Sequence, residues 1–244
     1  HWGDREDRPS LNFKILGGPD HGTYAEFVVV PVQNVFPKPS PLSMEEAGAM
    51  PLASLTAWRA VITRGEVRPG DRVVVLGIGG GVATFALQIA RAAGAMVIVT
   101  SSSQAKLDRA IELGANLAIN YKTEDWEKIV IERTGGGADM VIDSVGKETW
   151  GKALRALRPG GRLVSFGATT GRTTEVDIRQ IFWNQISILG TTMGSPREFA
   201  AMLQLYETGR LKPVVDSVFP LRDAPAAHRR VDEGQQFGKI VLVP

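Results

Sequence analysis

VVVLGIGGGVATFALQIARAAGAMVIVTSSSQAK, residues 73–106, decides the fold. VVVL is a short β-branched run, a cluster of glycines interrupts it, ATFALQIARAAG carries helical spacing, and MVIVT is a second strand. The rhythm then repeats. Strands RVVVL (72–76), MVIVT (96–100), LAINY (117–121), MVIDSV (140–145), RLVSFG (162–167) and ISILGTTM (186–193) alternate with helical stretches such as QAKLDRAIELG (104–114), WEKIVIERTG (126–135) and WGKALRALRPG (150–160). The strands are unbroken apolar runs, as required where helices cover both faces of a parallel sheet. The predicted fold class is α/β, with a doubly wound parallel sheet.

The flanks differ. TYAEFVVVPVQNVF (23–36) is rich in β-branched and aromatic residues and reads as strands, followed by the connector PKPSPLS (37–43). Ser43 and Glu46 form an [ST]-x-x-E box that predicts a helix through residues 44–65, which Pro51 divides in two. Segments 214–230 and 238–244 return to strand-like runs, and the opening HWGDREDRPS, without an initiator methionine, reads as the interior of a longer protein. With 28 basic and 26 acidic side chains, net +2 and no basic run, nucleic acid is not an expected partner. There is no cysteine, hence no disulfide, thiol nucleophile or thiolate metal ligand. No apolar run reaches the ~20 residues of a membrane helix, and no signal peptide is visible. The expected location is cytoplasmic, with no membrane partner.

Gly77, Gly79, Gly80 and Gly81 lie where the first strand passes into its helix, so backbone amides and the positive helix end face an incoming ligand. A pyrophosphate suits that geometry, with Gly79, Gly80, Gly81 and Val82 as candidate contacts. Counted from Gly77, G-x-G-x-x-G ends on Val82; counted from Ile78 it ends on Ala83. The strand–turn–helix–strand setting favours dinucleotide binding over a purely steric turn, and the absence of G-K-[ST] removes a P-loop triphosphatase. An acid about 20 residues beyond the glycines would hold both ribose hydroxyls of NAD. Here the second strand ends in Thr100-Ser101-Ser102-Ser103, with Lys106 one turn along. An acid repels a 2′-phosphate, whereas hydroxyls and an ammonium hold it. The expected cofactor is NADP(H), bound by Ser101, Ser102 and Lys106. The plainer alternative makes Ser101 or Ser103 a helix cap and Lys106 a solvated charge.

Eight segments occur in one order: GTYAEF (22–27), PLASLTAWRAV (51–61), 70–95, KLDRAIELGANLAINY (106–121), MVIDSVG (140–146), GGRLVSFGATTG (160–171), ILGTTMG (188–194) and FGKIVL (237–242). Together they resemble the medium-chain dehydrogenase/reductase superfamily, most closely its quinone oxidoreductases and zinc-type alcohol dehydrogenase-like proteins. The resemblance implies a Rossmann domain at 43–215 and a partial GroES-like β-barrel substrate domain from 1–42 and 216–244, with barrel sequence before Gly22 lacking here. It implies that Thr56 lies beside the nicotinamide, that Ser144 and Val145 lie under the adenosine-side ribose, and that Phe166, Gly167 and Ala168 line the nicotinamide. Thr191, Thr192 and Met193 would read the carboxamide, Lys239 would lie near the pyrophosphate, and Tyr121 would join Lys106 at the 2′-phosphate. Packing or capping is the bland alternative for each, above all for Val145, Phe166 and Met193. Relatives commonly dimerise through the edge of this sheet, and ISILGTTM is apolar enough to be such an edge strand of a homodimer; an ordinary buried strand would look the same.

One departure bears on chemistry. Zinc-dependent alcohol dehydrogenases carry a catalytic cysteine four residues before the threonine that Thr56 matches, and Leu52 stands there. The three histidines, His1, His21 and His228, have no ligand spacing, whereas catalytic zinc needs three protein ligands and an open position. No metal is expected; His1 and His21 read as surface residues and His228 as part of an amphipathic turn. The function so implied is zinc-independent hydride transfer from NADPH to a quinone or an α,β-unsaturated carbonyl. The alternatives are an NADP(H)-dependent alcohol dehydrogenase or aldehyde reductase whose zinc ligands precede His1, and a non-catalytic NADPH-binding protein.

Overall fold

The computed structural model describes residues 2–244, so His1 lies outside the described residues. In chain order, two-residue strands β1 (Ile15–Leu16) and β2 (Pro19–Asp20) pair with each other. Residues 23–36, expected as strands, contain none: the segment is irregular, with bends at 23 and 25–26 and one 3-10 turn at Val32–Asn34. Its composition favours a strand, but a strand also needs a ladder partner, and Phe27 and Val29 are 88% and 95% exposed. Helix α1 (Met44–Ala49) begins at the expected capping box, in which Ser43 Oγ accepts from Glu46 N at 3.1 Å and Glu46 Oε2 accepts from Ser43 N at 3.0 Å. Pro51 starts a separate helix, α2 (Pro51–Trp58), which runs into a π-helical turn at Arg59–Arg64.

Six strands follow: β3 (Arg72–Val75), β4 (Met96–Ser101), β5 (Leu117–Asn120), β6 (Ala138–Asp143), β7 (Leu157–Ser165) and β8 (Ser187–Gly190). Every pairing is parallel, and the spatial order is β5-β4-β3-β6-β7-β8. That is the Rossmann order, in which the chain winds outward from β3 to one edge, returns, and winds to the other. The connections carry α3 (Gly81–Ala92), α4 (Gln104–Glu112), α5 (Trp126–Thr134), α6 (Trp150–Arg155) and α7 (Ile178–Trp183). Strand side chains alternate between faces. Val74, Ile98 and Ile119 meet Trp126 and Val130 of α5 and Leu154 of α6 in one cluster, while Val73, Val75, Val97 and Val99 are equally buried on the opposite face. Each such side chain contributes about 1.5–3 kcal/mol of transfer free energy.

The amino ends of the strands are tied by charge. Asp139 near the start of β6 accepts from Arg72 N and Nε at 2.7 and 2.8 Å and pairs with Arg158, while Arg162 Nη2 meets Asp71 at 2.6 Å. Most of the candidate site residues gather at the opposite, carboxyl ends of the strands.

The chain ends with α8 (Pro196–Glu207), β9 (Val215–Pro220), α9 (Ala224–Asp232) and β10 (Lys239–Val243), of which β9 and β10 pair in parallel. Contacts divide the chain into one unit of residues 56–192 and another of 1–55 with 193–244. Residues 43–55 and 193–215, placed by sequence with the sheet, thus group here with the flanking unit.

Candidate dinucleotide site at the carboxyl edge of the sheet

Each of the six strand ends leads into a candidate residue or turn. Read across the sheet, the sites are Tyr121 after β5, Ser101 at the end of β4, the glycine turn after β3, Ser144 after β6, Phe166 after β7 and Thr191 after β8. The order reverses between β3 and β6, and a doubly wound sheet binds its ligand above such a switch point. There, a Cβ on Gly77 would lie 3.5 Å from Val145 Cγ2, so the two turns meet.

The glycine turn is shaped by backbone. Gly77 and Gly79 have φ of 68° and 136°, the second barred to ordinary side chains. Gly77 N donates to Thr100 Oγ1 at 3.2 Å and Ile78 N to Thr100 O at 2.8 Å, fixing the turn to β4. Gly80 is the N-cap of α3 and supplies no capping side chain, and a Cβ placed on it meets nothing within 4 Å. An uncapped helix start facing open space suits an anion. Above Gly79 lies the stem of Lys106, its Cδ 2.9 Å and Nζ 3.1 Å from where a Cβ would be. The lysine of α4 is therefore folded over the glycine turn instead of extending into solvent.

Ser101 is buried, and its Oγ accepts from Ser103 N at 3.2 Å, while its carbonyl accepts from Tyr121 N at 3.1 Å. Ser103 occupies the N-cap position of α4, but its side chain makes no capping bond. Ser102 lies between them, half-buried, and the Tyr121 ring is half-exposed.

On the other side of the switch point, Ser144 and Val145 are clamped to the segment after β7. Thr169 Oγ1 donates to Ser144 O at 3.1 Å, and Thr170 N and Oγ1 both donate to Val145 O at 2.8 Å. Gly167 packs so closely that a Cβ would come within 2.7 Å of Ser144 O, bringing Gly167 and Ala168 against the β6 turn; Phe166 N bonds Asp143 O at 3.1 Å. Asp143, which sequence reading passed over, organises this corner. Fully buried, its carboxylate accepts from Val145 N, from Gly146 N at 3.0 Å and from Thr149 Oγ1. Burial raises its pKa, and those three bonds only partly oppose the rise. An acid at a strand end before Ser-Val-Gly was the available signal.

Thr191 N donates to Ser165 O at 3.0 Å, and its Oγ1 is buried without a hydrogen-bond partner among the described residues. Buried hydroxyls rarely go unpaired. Thr192 is exposed and Met193 takes a left-handed φ of 44°, uncommon for a residue with a side chain. Thr56 lies buried in α2. Lys239 at the start of β10 belongs, like Met193, to the flanking unit, and burial lowers its pKa. A glycine cradle open above Gly80, an ammonium over Gly79 and an orphaned hydroxyl at Thr191 fit a dinucleotide.

The donors for zinc do not fit. His21 is exposed, His228 lies exposed on α9 with its ring 5.6 Å from that of Tyr24, and among the described residues no three His, Asp or Glu side chains gather as a metal-holding group. Leu52, in the position of the catalytic cysteine, is half-exposed on α2.

Residues 81–208 match the family model described as zinc-binding dehydrogenase. A zinc-type alcohol dehydrogenase-like protein of Schizosaccharomyces pombe is 38% identical over 235 residues, covering 93% of this chain and 68% of that protein. A 2-haloacrylate reductase from a Burkholderia species is 33% identical, covering 93% and 72%. Among solved structures, an NAD-dependent alcohol dehydrogenase superposes with a TM-score of 0.92 at 45% identity, over 96% of this chain and 69% of that one. The chain thus belongs to the zinc-binding dehydrogenase family, within the medium-chain dehydrogenase/reductase superfamily, and is an oxidoreductase of that type.

Proposed function

We propose that this oxidoreductase binds NADP(H) along the carboxyl edge of the sheet and reduces a quinone or an α,β-unsaturated carbonyl without zinc. When bound, the reduced nicotinamide supplies the hydride, and the protein's task is to hold it in place and keep water away. Gly79, Gly80, Gly81 and Val82 at the start of α3 would take the pyrophosphate, and Lys239 matches by family resemblance a basic residue near that group. Lys106, Ser101, Ser102 and Tyr121 would hold the 2′-phosphate. Ser144 and Val145 would support the ribose. Thr56, Phe166, Gly167 and Ala168 would frame the nicotinamide, and Thr191 to Met193 would meet its carboxamide. The family resemblance leads us to assign residues 1–42 and 216–244 to a partial GroES-like substrate domain and to infer a homodimer, and the sequence without an apolar membrane run or signal peptide leads us to infer a cytoplasmic location.

The observation that carries the cofactor preference is Lys106 folded over Gly79 beside a strand that ends in serines. The 2-haloacrylate reductase relative supports an activated double bond as acceptor. A second reading, alcohol–aldehyde chemistry with NAD, is favoured by the similarity to the NAD-dependent alcohol dehydrogenase. Fluorescence titration of the full chain with NADPH and NADH, repeated on Lys106→Ala, separates the two. The expected outcome is NADPH bound at least about tenfold tighter and that preference mostly lost in the variant, in line with one charge-assisted contact. Equal affinities would instead favour the NAD reading.

A further inference from the structure

Next to Gly167–Ala168, just past the end of β7, the unit of residues 56–192 contains a cavity of about 380 Å³. That is room for a small organic ligand. Two arms of the chain wall it: Lys147 and Trp150 follow β6, and Arg172, Thr173 and Thr174 follow β7. No carboxylate lines it. Neither the Lys147 ammonium nor the Arg172 guanidinium has an ion pair or side-chain hydrogen bond among the described residues.

Two exposed cations are ordinarily just solvated surface. Here the backbone that carries them is fixed. Lys147 N donates to Gly171 O at 3.4 Å, Glu148 N to Thr170 Oγ1 at 3.2 Å, and a Cβ on Gly171 would come within 3.1 Å of Lys147 Cβ. The arms are thus laced together, and two like charges share one concavity with hydroxyls and an indole. An anion relieves their repulsion and gains charge-assisted hydrogen bonds. Gly167 and Ala168 belong both to the cavity wall and to the strand end assigned to the nicotinamide.

We propose that this cavity is an anion subsite, so that the acceptor carries a carboxylate or a phosphate held by Lys147 and Arg172. The substrate half of this proposal rests on the reductase function proposed above; the anion site does not. Fluorine NMR of the full chain labelled with 5-fluorotryptophan, with and without NADPH, tests the site directly. The chain has five tryptophans, and Trp150→Phe identifies the resonance of interest. Titration with succinate and with inorganic phosphate is expected to move the Trp150 signal saturably. The Lys147→Met/Arg172→Met double variant is expected to weaken that response at least about tenfold. The tighter anion names the source, carboxylate or phosphate. No movement, or equal movement in the variant, overturns the site.

Turnover then tests the substrate half, comparing pent-3-en-2-one with 4-oxopent-2-enoate or 4-oxopent-2-enyl phosphate, whichever carries the tighter anion. The charged acceptor is expected to be preferred about tenfold in kcat/KM, through KM, with the preference collapsing in the double variant. Turnover blind to charge overturns the substrate half and leaves the reductase function standing. Saturable anion binding without turnover of either acceptor sinks the reductase function and leaves the site.

Discussion

At the scale of single residues, the corner between β6 and β7 is built around missing side chains. Gly146 has a φ of 93°, and a Cβ there would lie 2.8 Å from Ala168 Cα and 2.9 Å from Gly171 O. Both are backbone atoms, so no rotamer change makes room. Gly146→Ala is expected to cost about 2–3 kcal/mol, read as a lower urea midpoint, and to weaken dinucleotide affinity. Residue roles were unevenly legible. The glycines announced their turn, because a strand-to-helix turn of this kind cannot tolerate side chains. The burial of Asp143 was not legible, since Val145, Gly146 and Thr149 satisfy its carboxylate only once the chain has turned. Nor was the placing of Lys147 and Arg172, 25 residues apart in sequence, on the wall of one cavity. Lys106 was singled out for its charge, but its position over Gly79 is a product of α4 packing.

At the scale of the element, β6 carries two acids with opposite behaviour. At Asp139 burial alone would raise the pKa, but hydrogen bonds from Arg72 and Arg158 outweigh it and hold the carboxyl at about 2. Its stabilising contribution is present above the unfolded value of about 3.9 and is lost as pH falls towards the folded value. Asp143, raised by burial, behaves inversely: its contribution is complete below the unfolded value and is lost as pH rises through the folded one. Urea midpoints measured against pH are expected to lose their acid-side fall below about pH 4 in Asp139→Asn. Asp143→Asn, which keeps an acceptor for Val145 N and Gly146 N, is expected to remove the decline on the other side. Asp139→Asn also breaks a partly buried charge cluster and is expected to cost about 2 kcal/mol at neutral pH. The strands themselves were readable because a sheet covered on both faces leaves no place for alternation. Residues 23–36 misled for the converse reason: strand composition is a preference, and the ladder that realises it is a property of neighbours.

At the scale of the whole molecule, aromatic side chains differ widely in how they are covered. Phe85 in α3 is fully buried, whereas Phe27 in the irregular segment before α1 is 88% exposed. Limited chymotrypsin digestion is expected to cut after Phe27 long before Phe85, with mass spectrometry locating the first nick. A first cut after Phe85 would contradict this. No helix among the described residues is long and apolar enough to cross a membrane.

On the cofactor assignment proposed above, the lysine lying over Gly79 ties cofactor choice to the shape of the turn. The volume that a methyl group at position 79 would need is already occupied by the stem of Lys106. An engineer who wished to exchange one nicotinamide cofactor for the other would therefore face two coupled positions. Alanine at 79 would evict the ammonium while leaving it in the sequence, and shortening Lys106 would open a void above a strained glycine. Changes at 79 and 106 are expected to be non-additive, so a productive swap must treat the pair as one unit of inheritance.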